Sequence, residues 1–302
     1  MKRIGCLVLA AVPVVVMAVL YVTASDGSGS GPAGGTSVSQ QDLKDTKARA
    51  SGTTKRSEDE QVIADAPPGL AAPAMKELAQ KIVSSAENST LNWRSAYDSV
   101  EDIGDGCGYT AGVVGFCSGT HDLLSLVENY TKAHPGNGLE RFLPALRKVD
   151  GTDSHEGLDP GFPEAWRAEA RLPEFRAAQD AERDRVYFDP SVRLAKLDGL
   201  GALGQLIYYD AMVLHGPGTD RDGFYVLRDR TRAKAKPPAE GGDETAYLNA
   251  FLDVRREAMK LRPTMRDTSR IDTMLRRFLK DGNLQLRTPL RWTVYGESYR
   301  LP

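Results

Sequence analysis

The chain has 302 residues, 41% of them hydrophobic and 26% charged, so it can bury a substantial core and is neither disordered nor collagen-like. With 39 basic and 41 acidic side chains the net charge is -2, which excludes the strongly basic footprint of a general nucleic-acid binder. The charge is unevenly spread: residues 87–128 hold Glu87, Asp98, Glu101, Asp102, Asp105, Asp122 and Glu128 against Arg94 alone, a net -6, and leave the rest of 67–302 at +4. Such a segment is either a face that receives positive charge or an acidic solvated surface.

Lys2-Arg3, an apolar run from Ile4 to Val22 and the small residues Thr23-Ala24-Ser25 follow the order of an export signal over 1–24. The run is also about as long as a bilayer-spanning helix, so an uncleaved anchor is the alternative. Residues 25–66 are rich in Gly, Ser, Thr and charge, and are expected to be a flexible linker of about 35 Å reach or a discarded propeptide. The remainder, 67–302, is expected to be the functional domain.

From Pro67 onward the pattern is helical. Met75, Leu78, Ala79, Ile82, Val83 and Ala86 form one apolar face that stops before Glu87. Residues 91–108 end in Gly104-Asp105-Gly106-Cys107-Gly108 and read as a loop or tight turn. Tyr109–Phe116 suits a short strand, and a helix capped by Thr120 runs to Pro135-Gly136. Further helices fit Arg141–Arg147, Pro163–Val186, Ser191–Leu214, Glu244–Lys260 and Thr268–Lys280. Leu194–Leu214 is apolar nearly all round, the pattern of a central buried helix. The fold class expected is mainly α with a small β-sheet, and a domain of this size suits two lobes.

Cys6 would leave with the signal. A disulfide between Cys107 and Cys117 is an option in an exported chain, but the apolar run before Cys117 favours a buried free thiol. His121, His134, His155 and His215 share no metal-ligand spacing, so no metal site is expected. No nucleotide-binding loop, dinucleotide fingerprint or serine-hydrolase elbow is present.

Glu87, where an apolar helix face ends, is placed to lie against hydrophobic surroundings, the setting of a proton donor. Asp105, between two glycines, suits a water-exposed base. Facing each other across a groove, two such carboxylates can hydrolyse a glycosidic bond, one protonating the leaving oxygen and the other activating water. From the pattern alone they read more readily as a helix-terminal surface residue and an ordinary turn residue. Asp210, in the apolar stretch 206–213, needs a cationic partner if buried. Arg255 interrupts the apolar stripe of Leu248, Phe251, Leu252 and Met259, and Arg270 opens the next helix. An ion network of Arg255, Asp210 and Arg270 follows, structural or catalytic.

Ser84-Ser85-Ala86-Glu87-Asn88-Ser89, Glu101-Asp102-Ile103-Gly104-Asp105-Gly106, Gly115-Phe116-Cys117-Ser118-Gly119-Thr120, Tyr187-Phe188-Asp189-Pro190, Tyr208-Tyr209-Asp210, His215-Gly216-Pro217-Gly218 and Gly241-Gly242-Asp243-Glu244-Thr245 together resemble the family 46 glycoside hydrolases, secreted bacterial chitosanases. The resemblance runs from about residue 74 to the C-terminus and leaves out the signal and linker. It implies a lysozyme-like, two-lobed fold with a substrate cleft between the lobes. It further implies endo-acting hydrolysis of β-1,4 links between glucosamine units of chitosan, with inversion and without a cofactor. By matching position, Glu87 would be the general acid, Asp105 the general base and Thr110 a holder of the attacking water. Asp122 would receive a glucosamine ammonium, while Asp210, Arg255 and Arg270 would support the acid. One departure is Cys107, where family members can carry an arginine that contacts substrate, which bears on subsite affinity and product length. The expected partner is chitosan and the expected working state a secreted monomer. The alternatives are a lysozyme-like hydrolase of chitin or peptidoglycan, and a non-catalytic polysaccharide-binding protein.

Overall fold

The computed structural model describes residues 55–218, 221–262 and 266–302. The expected signal or anchor at 1–24 and most of the expected linker at 25–66 lie outside them. Residues 55–65 form a helix, α1, within the stretch assigned to the linker by composition. Glu58, Asp59 and Glu60 crowd its first turns, where negative charge suits the helix dipole, and no Gly or Pro interrupts it. Gln61 bonds Asp65 one turn on at 2.9 Å, and Arg193 reaches Glu60 at 2.9 Å. Scarcity of apolar residues therefore marks this stretch as poor in core contacts, not as unable to form a helix.

Helix α2 (Pro73–Glu87) starts with proline in its first turn, where a missing N–H costs nothing, and buries Ala79, Ile82, Val83 and Ala86. A three-stranded antiparallel sheet follows, β1 (Val100–Glu101), β2 (Thr110–Ala111) and β3 (Phe116–Cys117), in that spatial order. The single strand expected over Tyr109–Phe116 is thus two strands joined by a turn from Gly112 to Gly115, both at positive φ. Thr110 lies opposite Glu101 on one side and Cys117 on the other.

Helices α3 (Asp122–Ala133), α4 (Leu143–Val149), α5 (Phe162–Glu169) and α6 (Pro173–Arg183) gather around this sheet: α3 packs on β3, α4 and α6, and α5 meets β1. A helix expected without interruption over Pro163–Val186 is split before Pro173, because proline disfavours helical backbone in the residue ahead of it; Leu172 is extended, with ψ 132°. A π-helical segment, Asp184–Phe188, then joins α6 to α7 (Asp189–Leu197).

The second group of elements is α7, α8 (Ala202–His215), α9 (Phe224–Arg232) and α10 (Glu244–Leu261), with a π-helical segment Arg270–Leu275 leading into α11 (Arg276–Lys280). The helix expected over Ser191–Leu214 is two, divided at Gly199-Leu200-Gly201. All of α8 except Val213 and Leu214 is buried, as its all-round apolarity predicts. Asp243 caps α10 by accepting the Ala246 N–H at 2.7 Å. The chain closes with an antiparallel hairpin, β4 (Leu290–Val294) and β5 (Glu297–Leu301), whose buried Leu290, Trp292, Val294 and Leu301 pack inward. Trp292 donates to Ser85 Oγ of α2 at 2.9 Å and meets Phe278 of α11 edge-on. One hydrophobic core runs from Leu70 to Leu301, so the fold is mainly helical with small antiparallel sheets.

Candidate active site

Glu87 is the last residue of α2, its side chain 22% exposed, and its Oε1 lies 2.5 Å from Arg270 Nη1. The sequence placed this carboxyl against hydrophobic surroundings; the structure puts a guanidinium beside it. Arg270 is itself buried, and its Nε donates to Asp210 Oδ1 at 2.8 Å. Arg255 closes on the other oxygen, Nη1 to Oδ2 at 2.5 Å. Its Nε donates to His215 Nε2 at 3.2 Å.

Arg255, Asp210, Arg270 and Glu87 thus alternate in sign along one chain, the first three 0 to 1% exposed. Alternation is what makes burial tolerable: each charge loses its water and gains a fixed partner. Burial pulls the Arg270 guanidinium down, but Asp210 and Glu87 more than reverse this and hold its pKa above the ordinary value. Burial also lowers Arg255, with Asp210 opposing. His215 is pushed well below 6.5 by burial and then by Arg255, so it stays neutral and can accept from that arginine. Tyr295, in the β4–β5 turn, lies near Arg270, whose charge opposes the rise that burial gives the tyrosine phenol. Tyr295 and Gly296 both have positive φ, 50° and 84°, as a two-residue type I′ turn requires. A left-handed tyrosine costs on the order of 1 kcal/mol.

Asp105 comes from the β1–β2 loop. It is exposed, and its Oδ1 accepts the N–H of Cys107 at 3.0 Å. No cation among the described residues pairs with it. Cys107 is joined to Cys117 on β3 by a disulfide, with Cα atoms 5.9 Å apart. This corrects the expected free thiol: Cys117 is buried, but the β1–β2 loop folds back so that the Gly119 N–H bonds Cys107 O at 3.0 Å. That return depends on strand pairing, which cysteine spacing does not reveal. Thr110 stands on β2, half-buried, and a Cβ on Gly115 would come within 2.9 Å of its Cγ2. Glycine at that turn leaves the threonine its space.

Asp122, at the start of α3, is only 7% exposed. Its Oδ1 accepts from Cys117 N at 3.0 Å, Thr120 Oγ1 at 2.8 Å and Leu123 N at 2.9 Å, and Oδ2 accepts from the Tyr187 hydroxyl. Burial raises its pKa against the pull of these donors. The carboxylate therefore fastens β3, α3 and the π-helical segment. Burial also raises Tyr187, followed by Asp122 and more weakly Glu87, so the acidic charges of α2 and α3 act on one phenol.

The residue pattern foresaw the Arg255–Asp210–Arg270 set and the family resemblance its link to the acid Glu87, but neither foresaw the parts of His215, Tyr187 and Tyr295. It also passed over His155, which stacks on Tyr109 at 4.0 Å and lies 3.4 Å from Asp102 and 3.5 Å from Asp159. The signal available for Tyr295 was alternation on both sides of Tyr295-Gly296.

Comparison with known proteins matches residues 81–290 to glycosyl hydrolase family 46. The chain is 56% identical over 231 residues to the chitosanase of Streptomyces sp. (strain N174), covering 76% of this chain and 83% of that protein. It is 39% identical over 234 residues to the chitosanase of Bacillus subtilis (strain 168), covering 73% and 83%. A solved structure described as chitosanase OU01 in co-crystal with substrate superposes with a TM-score of 0.77 at 54% identity, covering 78% of this chain and 100% of that one. The Gynuella sunshinyii family 46 chitosanase in complex with chitotetraose gives 0.70 at 35% identity, over 75% and 97%. A family match over more than two-thirds of the chain, with relatives above half identity across most of their length, makes this chain a member of glycosyl hydrolase family 46.

Proposed function

We propose that the chain cuts β-1,4 links between glucosamine units within chitosan, as an inverting endo-hydrolase. Glu87 is the general acid, Asp105 the general base and Thr110 a holder of the attacking water. The observation that carries this reading is the buried Arg255–Asp210–Arg270 chain ending on the partly exposed Glu87. With Oε1 engaged by Arg270, Oε2 is the oxygen left to give its proton to the leaving glycosidic oxygen. Water then attacks the anomeric carbon from the opposite face while Asp105 takes its proton. Exposure and the absence of a cation partner among the described residues suit Asp105 to that task. Asp122 receives a substrate ammonium through Oδ2, with Tyr187 as the shared donor.

The test is reducing-end release from chitosan, chitin and cell wall, with the product anomer followed by NMR. Chitosan should be the substrate cleaved and the first product the α-anomer. Glu87→Gln and Asp105→Asn should each lower turnover by about 10²–10⁴-fold, the usual contribution of an acid or base group, without loss of fold. Near-normal turnover in folded Glu87→Gln overturns the mechanism; preferred cleavage of chitin or cell wall overturns the substrate. The same reading has the chain exported through 1–24 and working as a monomer, checked by the N-terminus of protein recovered from medium and by its hydrodynamic mass.

A further inference from the structure

A second charged feature lies apart from these residues. Helix α11 with the π-helical segment before it, the start of α10 and the β4–β5 hairpin enclose a groove of about 1290 Å³. None of Glu87, Asp105, Thr110 and Asp122 lines it. Its walls carry five cations, Arg276, Arg277, Lys280, Arg291 and Arg300, against one carboxylate, Asp272. Arg276 is tied to Asp253 and Asn249, and Arg277 to Asp281. Asp272 is held by Arg256 and Thr268. Among the described residues no carboxylate side chain pairs with Lys280, Arg291 or Arg300, and all three are exposed.

Arg291 and Arg300 stand directly opposite each other in the hairpin register. Like charges in that relation destabilise a strand pair unless an anion lies between them. The next outward pair, Thr293 and Ser298, is neutral, so the strand geometry itself does not call for charge there. The inward positions hold the core, and the opposed arginines contribute nothing to it.

We propose that this groove binds an anionic polysaccharide whose charge comes from phosphate or carboxylate groups. Arginine forks match both groups, and two opposed guanidiniums with a lysine across the groove give a row of sites for a repeating charge. Thr245 and Ser298 hydroxyls and the Asn249 side chain line the same space and suit sugar hydroxyls. The volume exceeds the roughly 300–1,000 Å³ of a single small-molecule pocket, so several sugar units fit. A polymer of glucosamine is repelled here, which separates the groove from the path of the proposed substrate. The molecule would then hold an anionic matrix through this groove while its acidic segment acts on a polycation.

The experiment uses the full chain without chitosan and four probes: polygalacturonate, a phosphate-bearing mannan, neutral dextran, and single-stranded DNA of matched charge. Wild type should bind at least one anionic polysaccharide, more weakly as salt rises, and the one bound identifies the charge source. Arg291→Gln with Arg300→Gln should weaken that binding by about tenfold or more through loss of two charge-assisted contacts. The polymer should raise the melting temperature of wild type but not of the double variant. Binding unchanged in the folded double variant, equal binding of dextran or DNA, or no binding to either acidic polysaccharide overturns the proposal. Hydrolysis of a chitosan hexamer by the same preparations, expected within about twofold of each other since no substrate contact is removed, reads the proposed enzyme function independently.

Discussion

His155 shows how one side chain can fix the place of several others. Its ring lies flat on Tyr109, at 4.0 Å and 10°, and its two nitrogens face Asp102 at 3.4 Å and Asp159 at 3.5 Å. The Tyr109 hydroxyl donates to Asp159 Oδ1 at 2.6 Å. Asp102 precedes Asp105 by three residues and Tyr109 adjoins Thr110, so this one ring ties both ends of the loop that presents the proposed base. Since a misplacement of about 1 Å can cost on the order of 10²-fold in rate, His155→Ala should lower kcat by roughly tenfold or more while KM changes little. His155→Gln, which keeps a polar side chain facing Asp102 and Asp159, should recover part of the loss. Steady-state kinetics on chitosan check this; equal kcat in His155→Ala and wild type would show the loop to be placed without it. Nothing in the sequence marked His155, because its partners are near in space and its spacing fits no metal or catalytic pattern. Glu87 was legible because an apolar helical face ends on it. Its arginine neighbour was legible only through the family resemblance and not from local pattern, since Arg270 arrives from the other end of the chain.

Two cross-links act at the scale of elements. The first is the ion chain through Asp210, which joins α8, α10 and the Arg270–Leu275 segment to the end of α2. Asp210→Ala leaves two buried guanidiniums facing each other, and removing one partner of a buried set typically costs about 3–5 kcal/mol. The expected result is a large fall in the denaturant midpoint together with a loss of turnover beyond what remains folded, because Arg270 no longer has a fixed position beside Glu87. The second is the disulfide, which closes a short loop carrying Tyr109 and Thr110 and begins two residues after Asp105. By loop closure it is worth about 3 kcal/mol. Cys107→Ser with Cys117→Ser should lose about that much stability by urea titration, and should slow turnover at temperatures where the fold is intact; unchanged kinetics would separate the cross-link from loop placement. Helix α10 was readable almost to its ends, since a capping Asp243 and an apolar stripe broken only by Arg255 agree. The breaks at Pro173 and at Gly199-Leu200-Gly201 were written in the residues but outweighed by long apolar periodicity. The hairpin at the end was missed because Tyr295-Gly296 is an uncommon type I′ pair whose left-handed tyrosine is held by tertiary contact with Arg270.

Across the whole molecule, the net charge of -2 is a cancellation between an acidic segment and basic surfaces elsewhere. Pairing further sorts the acidic segment: Glu87 meets Arg270, Glu128 meets Arg147 and Asp122 is buried, while Asp98, Glu101 and Asp105 have no cation partner among the described residues. The same sorting sets the pH dependence of stability through two histidines shifted in opposite directions. His215 is held well below 6.5, first by burial and then by Arg255, so the unfolded chain binds the extra proton as pH falls below 6.5. Its contribution to stability is present above 6.5 and declines toward acid, by at most about 1.4 kcal/mol per pH unit. His121 is raised above 6.5 by its hydrogen bond to Asp150, so its contribution is present below 6.5 and is lost as pH climbs through the raised value. Its side chain is 68% exposed, which makes this second effect small and salt-sensitive. Asp122, raised by burial, opposes His215 on the acid side by favouring proton uptake in the folded state above the ordinary 3.8. The expected outcome is a melting temperature that peaks near pH 6.5, falls more steeply toward acid than toward alkali, and loses only its alkaline slope with added salt. His121→Gln should flatten the alkaline side alone, and His215→Gln the acid side alone. A melting temperature that rises steadily from about pH 6.5 down to pH 5 would show that Asp122 outweighs His215, reversing the balance of these two buried groups.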